Sequence, residues 1–288
     1  MNHSLAILSV LLIIGCAAPV SENKPDPDQE EWVQIFNGKD LTGWTPKFTG
    51  YEAGDNIRNT FRITDDSLLS VRYDNWERFD GEFGHLFYEK PFSHYRIRAT
   101  YRFKGEQVTD GPAWALRNNG LMLHAQSVET MAIDQAFPIC IEFQLLGGNG
   151  TDERSTCNLC TPGTHVYMGD SLFTPHCINS VSKTYHGEQW VTVEGLLLGD
   201  SLVQHIVDGE VVMEYNRTHM DGSHGDNFNE GVLQDGMAVD KGYITIQAET
   251  APIDFDKIEV LDLCGCMDKK AKNYKSYFVK ADNSKCIY

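Results

Sequence analysis

Basic side chains are scarce in this chain of 288 residues: 24 Lys and Arg stand against 41 Asp and Glu, for a formal charge of −17. That balance excludes a nucleic-acid binder, which needs Lys and Arg clustered on a contact face. It says little about other partners, because an acidic surface is also simply a soluble one. Helical periodicity is lacking as well: no segment of ten or more residues shows a strong helical repeat of apolar positions. There is no low-complexity tract long enough to suggest disorder throughout, and no repeat at a solenoid or propeller period. Long hydrophobic runs are absent too. The apolar stretch Leu5 to Ile14 is too short to span a bilayer as a helix.

That stretch reads as an export signal, although its first residues lack Lys and Arg. It ends Ile13-Ile14-Gly15-Cys16, which resembles the lipobox of bacterial lipoproteins. On that reading Cys16 is lipidated and becomes the mature N-terminus; the alternative is an ordinary signal peptide with an unrelated cysteine. Residues 17–31, with Pro19, Pro25 and Pro27, then form an extended tether. Lipid would hold the protein on a membrane, periplasmic or surface-facing, without embedding its fold.

Export makes disulfides plausible. Without Cys16 seven cysteines remain, an odd number, so at least one stays free. Cys140, inside a strand, is the best candidate for the free thiol. Cys157, Cys160, Cys177, Cys264, Cys266 and Cys286 are the disulfide candidates. Cys157-x-x-Cys160 lacks the second pair that zinc-finger spacing requires, so structural bridges are the preferred reading. A Cys160–Cys177 bridge would close a loop containing Pro162, Gly163 and Gly169, but sequence does not fix connectivity.

From Trp32 to Leu263 strand patterns dominate. They include 32–36, 60–64, 67–71, 85–89, 95–103, 113–126, 139–146, 189–198, 242–249 and 253–263. The clearest hairpin is 202–215, with Asp208-Gly209 at its turn. Many short strands joined by Gly, Asn and Asp turns predict an all-β sandwich of two antiparallel sheets packed face to face. Charge shifts at Leu263: residues 264–288 carry a net +4, leaving −21 on the remainder. This tail is too small for a core of its own, and a Cys266–Cys286 bridge would staple it. Its Gly265-Cys266-Met267-Asp268, Asn273-Tyr274, Asp282 and Cys286 resemble the short cysteine modules that end many exported proteins of Bacteroidetes-type bacteria, with Lys269 where proline is usual. The expected organisation is signal 1–16, tether 17–31, sandwich 32–263 and module 264–288.

The stretch "FNGKDLTGW", Phe36 to Trp44, resembles the opening signature of the 3-keto-disaccharide hydrolase family, also described as 3-keto-glucoside 1,2-lyase and 3-keto-2-hydroxy-glucal hydratase. "NNGLMLH" (118–124), "IEFQLLGG" (141–148), "GYITIQAE" (242–249) and "IDFDKIEVLDL" agree with other family segments, and "NLCTPGTHV" (158–166) and "SKTYHGEQWVTVE" (182–194) with one branch of it. The resemblance covers about residues 32–263. It implies a concanavalin- or laminarinase-like jelly roll with a carbohydrate site on its concave sheet. It also implies an oxidised carbohydrate substrate and a partner sugar 3-oxidoreductase that makes the ketone.

In "CIEFQLLGG" (140–148), Ile141, Phe143 and Leu145 alternate with Glu142 and Gln144. Met122, His124 and Gln126 share a face of one strand, and Thr245, Gln247 and Glu249 share a face of another. If these strands are neighbours, His124, Glu142, Gln144, Gln247 and Glu249 converge on one sheet surface. A solvated convex face would look the same in sequence. The scarcity of lysine there favours a site. Glu142 and Glu249 are a candidate carboxylate pair for conventional glycoside hydrolysis. The resemblance implies different chemistry: a base removes the acidified hydrogen at C2 of a 3-keto sugar, the aglycone leaves C1, and water can add across the double bond. That needs a base near C2 and a positive group near the ketone oxygen. A divalent metal would serve, with His124 and Glu142 as base or ligands. Gln144, Gln247 and Glu249 would orient sugar or metal, Trp114 would stack on a sugar face and Arg117 would steady the enediolate. Trp44 is a second candidate for stacking, although a Trp in a sandwich is more often core, and His205 reads as a packed core residue. His165, His176 and His186 read singly as loop residues, though one of them could reach over the sheet; Lys183 and Tyr185 read likewise. Asp221 to Asn227 could bind calcium through its oxygens but lacks EF-hand spacing, and a polar loop is the preferred reading. A carbohydrate-binding module without chemistry remains the principal alternative.

Overall fold

The computed structural model describes residues 26–288 apart from Asp226. The signal segment, Cys16 and the first part of the tether lie outside the described residues. Among the described residues there is no α-helix, only short 3-10 turns, and two large antiparallel sheets carry the fold. No helix among them is long and apolar enough to cross a membrane.

One sheet has seven strands, ordered Cys177–Ile178, Asn158–Cys160, Ile141–Leu146, Asn118–Ala125, Tyr243–Ala248, Gly84–Tyr88, Trp44–Phe48. The other has ten, and its centre is Val191–Leu198, His94–Phe103 and Ile253–Asp262. Alternation explains how they meet. His94–Phe103 reads buried at every second residue, and Tyr95, Ile97, Ala99, Tyr101 and Phe103 face inward. They pack against Leu121, Leu123, Ile141, Phe143, Leu145, Ile244 and Ile246 of the seven-stranded sheet. This is the sandwich of two antiparallel sheets that the strand patterns predict, in the jelly-roll form that the resemblance implies. The expected hairpin forms as Val203–Val207 and Glu210–Met220. Within the sandwich five strands escape the sequence pattern: Trp44–Phe48, Asn158–Cys160, Thr164–Met168, Ser171–Phe173 and Cys177–Ile178. His205 and Trp44 are core residues: His205 bonds Cys157 O (2.9 Å) and the Tyr215 hydroxyl (3.0 Å), and Trp44 Nε1 donates to Ile35 O at 2.9 Å.

Two bridges form, Cys160–Cys177 and Cys266–Cys286, while Cys140, Cys157 and Cys264 are free. Cys140 is the free thiol expected. Cys157 and Cys264 depart from their reading as bridge candidates. Cys157 sits at φ 55°, which turns its side chain into the sandwich core. Cys264 begins the C-terminal module and lies beside Ser93 Oγ at 3.4 Å. The module pairs Cys264–Gly265 with Lys280–Ala281 in parallel. It also holds residues at the end of the tether: Ser276 N donates to Pro27 O (3.0 Å) and Lys275 pairs with Glu31 (2.6 Å).

Candidate active site

The outer face of the seven-stranded sheet is assembled by register. Glu142 stands opposite Met122 on one neighbour and Cys160 on the other. Gln144 stands opposite Gly120 and Asn158. Further along, Gln247 pairs with His85, and His85 with Lys47. A band of polar side chains therefore crosses the sheet where alternation alone would allow solvent. Gly120 makes the band possible, because the Glu142 side chain lies over it; a Cβ there would be 2.8 Å from Glu142 Cγ. Glu249 follows the strand Tyr243–Ala248 and is fixed by its neighbour Thr250. Thr250 holds φ 87°, an uncommon value for a β-branched residue. Its N–H donates to the Tyr73 hydroxyl (2.7 Å), and its own hydroxyl accepts from Gln107 at 2.7 Å.

Loops turn this face into a cleft. Residues 126–140 fold over one half of it, where Phe87, Met122, Ala125, Val128, Met131 and Cys140 make a second small core. The other half stays open as a cleft of about 290 Å³, lined by Trp114, Asn118, Phe137, Glu142, Gln144, Cys160, Pro162, His176, Cys177 and Glu249. Trp114 is exposed at its rim and stacks on Phe83 at 5.9 Å. Such a volume suits a small ligand. A larger hollow of about 610 Å³ lies by the edge strands Phe61–Ile63 and Leu69–Val71. Its cations are already engaged: Arg62 with Asp74, Arg72 with Asp254, and Lys104 with Glu188.

This face of the sheet is short of hydrogen-bond partners. Glu142 Oε1, Glu249 Oε2 and Asn118 Oδ1 in the cleft, and Gln247 Oε1, Thr245 Oγ1 and His85 Nε2 elsewhere on the same sheet, are all buried without one. An unsatisfied buried polar atom costs about 1–3 kcal/mol, so six near one surface mark a place built for a ligand. Gln247 Nε2 donates to Glu249 Oε1 (3.1 Å) and Asn158 Nδ2 to Gln144 Oε1 (3.1 Å). Among the described residues no cation pairs with either carboxyl. The nearby Lys47 ammonium donates instead to Phe48 O (2.7 Å) and Ile133 O (2.9 Å). Burial raises the pKa of Glu142, and burial together with the Glu142 charge raises that of Glu249 well above the carboxylate range. The two titrate as a pair that keeps a proton through neutral pH. His85 is held down to about 3 by burial and then by Lys47, so it is neutral.

The structure brings Glu142, Gln144, Gln247, Glu249 and Trp114 to this region but removes His124 and Arg117. His124 sits at φ 50° beside a register shift between its strand and Tyr243–Ala248. That bulge rotates its ring out of alternation, so it packs on core residue Tyr95 at 5.6 Å with Nδ1 at 3.2 Å from Val239 O. It is on the wrong side to be base or ligand with Glu142. Arg117, at φ 44°, directs its guanidinium to Gly187 O at 2.7 Å. Gln126 braces the covering loop through Gln135 and Ile139 N. Lys183 and Tyr185 bond Asp208, His186 accepts from Gly150 N, and His165 meets Ser223 and Asp221. In the loop that begins at Asp221, Ser223 N donates to Asp221 at 2.8 Å, while Gly222 N donates to Asp235 at 3.1 Å and Asn227 Nδ2 to Asp134 O at 3.3 Å. Sequence reasoning missed Lys47, His85, Asn118, Phe137 and Asn158 and left His176 as a loop residue. The alternation in "HLFYE" sets His85 apart from Leu86, but only the register with Gln247 gives it a place.

Among the described residues no group of three or more His, Cys, Asp or Glu is arranged to hold a metal. The oxygens that could do so are two carboxylates and two carboxamides, those of Glu142, Glu249, Gln247 and Asn118.

A search of curated proteins finds no match. Among solved structures, similarity extends to two candidate glycosyl hydrolases from Parabacteroides distasonis ATCC 8503. The first is 18% identical, with 80% of this chain and 93% of that one covered and a TM-score of 0.45. The second is 12% identical, with 81% and 99% covered and a TM-score of 0.46. A carbohydrate binding module from Bacillus subtilis is 11% identical, with 76% and 96% covered and a TM-score of 0.40. The model of the 3-keto-alpha-glucoside-1,2-lyase-like domain matches residues 31–261, and the chain belongs to that family.

Proposed function

We propose that this member of the family cleaves 3-keto-glycosides by elimination, with water re-adding to give net hydrolysis. The observation that carries the reading is the buried Glu142–Glu249 pair, which has no cation partner among the described residues and in which burial raises both carboxyls. A buried pair that keeps a proton can donate it, or a hydrogen bond, to an oxygen that becomes negative. The ketone oxygen of a 3-keto sugar does so when C2 loses its hydrogen. Gln247, bonded to Glu249, and Asn118 offer further polar atoms for the sugar hydroxyls, and Trp114 an apolar ring face. Expulsion of the aglycone from C1 then leaves an unsaturated 3-keto sugar that water can hydrate.

The four unpartnered oxygens of Glu142, Glu249, Gln247 and Asn118 also fit a hard divalent cation, which would supply Lewis-acid polarisation of the same ketone oxygen. A substrate of this kind requires a partner oxidoreductase acting at C3. An N-terminal lipid on Cys16 would keep the enzyme on the exported side of a membrane.

The test is turnover of 3-keto-glucosides beside their unoxidised parents, with and without chelator. Cleavage of the keto forms alone is the expected result, and loss of rate with chelator would assign the polarising role to the metal. Cleavage of the parent glycosides would contradict the reading in favour of a two-carboxylate hydrolase. Binding without cleavage of either would favour a carbohydrate-binding module.

A further inference from the structure

One wall of the cleft is a disulfide. Cys160 and Cys177 are register partners in neighbouring strands, and both line the cavity. On its other side Cys160 is the register partner of Glu142. The bridge thus fixes His176, the residue before Cys177, two strands from the floor carboxyl. A second tie acts on the backbone: the His176 carbonyl accepts from Thr161 N (2.9 Å) and Thr161 Oγ1 (3.1 Å). The residue lines the cleft, exposed at its rim, with its ring within reach of the Thr161 backbone. A rigidly held backbone carrying a solvent-accessible imidazole at a cleft wall is the arrangement a proton-transfer group needs.

We propose that His176 is the proton shuttle of this site, taking the hydrogen from C2 and returning it to the departing aglycone oxygen. The assignment rests on the elimination reading and gives it a base from the cleft lining, since His124 packs on core residue Tyr95. In the first step imidazole takes the C2 proton. The C–H electron pair becomes the C2–C3 double bond, and the ketone π pair moves onto its oxygen, which the carboxyl pair hydrogen-bonds. In the second step the enolate reforms the ketone and C1–C2 becomes double. The C1–O bond breaks, and its electron pair leaves with the aglycone oxygen, which is protonated by the imidazolium. The charge and proton count close without any co-reactant. In hydration the neutral imidazole takes a proton from the water that adds to C1, and C2 is reprotonated.

The surroundings agree. His224 stacks near His176 at 5.1 Å, with its Nε2 at 2.6 Å from Thr174 O, and His165 stands behind it at 5.6 Å. The titratable group beside His176 is His224, and the Glu142 and Glu249 carboxyls line the same cleft. Burial and then His224 hold the His176 imidazole below its ordinary value, against a hydrogen bond with the Thr161 backbone that raises it, so it is neutral at neutral pH.

The test compares wild type, His176→Ala and His224→Ala on a 3-keto-glucoside across pH, with calorimetric binding of the unoxidised parent glycoside as a second readout. His176→Ala should lower kcat by about 10²-fold or more. It should leave parent binding intact and remove the rise of rate with pH. His224→Ala should stay active while that rise moves to higher pH, because a neighbouring positive charge is gone. A His176→Ala protein with the wild-type kcat and pH profile would overturn the assignment, as would a His224→Ala profile that does not move. Wild-type protein that turns over no 3-keto-glycoside would overturn the elimination reading itself, and the shuttle with it.

Discussion

The Glu142 side chain lies across the Cα of Gly120, its cross-strand neighbour one residue pair away, so closely that a Cβ at position 120 would be 2.8 Å from Glu142 Cγ and collide with the carboxylate. Glycine in mid-strand normally weakens a sheet. Here it gives the carboxyl room. Gly120→Ala should therefore displace Glu142 and reduce turnover by about 10²-fold, an effect of the size attributed to a mispositioned catalytic group. Strand content by circular dichroism should be retained. Wild-type turnover in this variant would mean that the position of Glu142 is immaterial.

Glu142→Gln should separate stability from activity. Ionising a buried carboxyl is unfavourable, so its folded pKa lies above the unfolded value. The sign follows: between these two values the folded state binds more protons than the unfolded one, so stability falls as pH rises from the carboxylate range through the raised value. Glutamine removes that loss. The variant should be more stable than wild type at pH 8, by on the order of 2 kcal/mol, with the gap closing toward pH 4. Turnover should drop by about 10²–10⁴-fold. Thermal melts at the two pH values check the first half, and an unchanged gap would contradict the buried-pair description.

The Cys160–Cys177 bridge closes a short loop, with a sequence separation of 17. Cys177→Ser should cost about 3 kcal/mol by the loop-closure estimate. The larger effect should be on turnover, because His176 and the cleft wall lose their anchor. Kinetics below the melting temperature of the variant, with and without reductant for wild type, would show it. Full activity after reduction would leave the bridge with a purely structural role.

Away from the site, Asp254 is buried at 1% exposure and ties the ten-stranded sheet together. It pairs with Arg72 and, at 3.2 Å, with Arg102, and accepts from the Ser70 hydroxyl at 2.6 Å. Removing one partner leaves a buried charge under-compensated, so Arg72→Ala should destabilise by about 3 kcal/mol in chemical denaturation. Asp254→Asn should cost less than Arg72→Ala if desolvation of the carboxylate is the main cost. The opposite order would point to the ion pair itself as the source of stability.

The sandwich was legible in the sequence because half-buried strands advertise themselves at period two, as in His94–Phe103. Trp44–Phe48 carries Pro46 on an edge, where the missing N–H is tolerated but the strand pattern is broken. Glu142, Gln144, Gln247 and Glu249 could be picked out because they interrupt otherwise apolar segments. His124 could not be judged, since a one-residue bulge reverses its direction without leaving a mark in the residue pattern. Lys47 and His85 needed register, which depends on partners distant in sequence. His176 needed the tertiary position of a disulfide loop. The failures share a cause: alternation reports faces within one strand, and sites are made between strands.

The most direct measurement is the fate of the C2 hydrogen. Wild-type protein would be given a 3-keto-glucoside in deuterated water, and the released 3-keto sugar analysed by mass spectrometry and NMR against an enzyme-free control. Elimination followed by hydration predicts one deuterium at C2, incorporated at the rate of cleavage. Product released at the same rate with its original C2 hydrogen would contradict the account and return the carboxyl pair to ordinary hydrolysis.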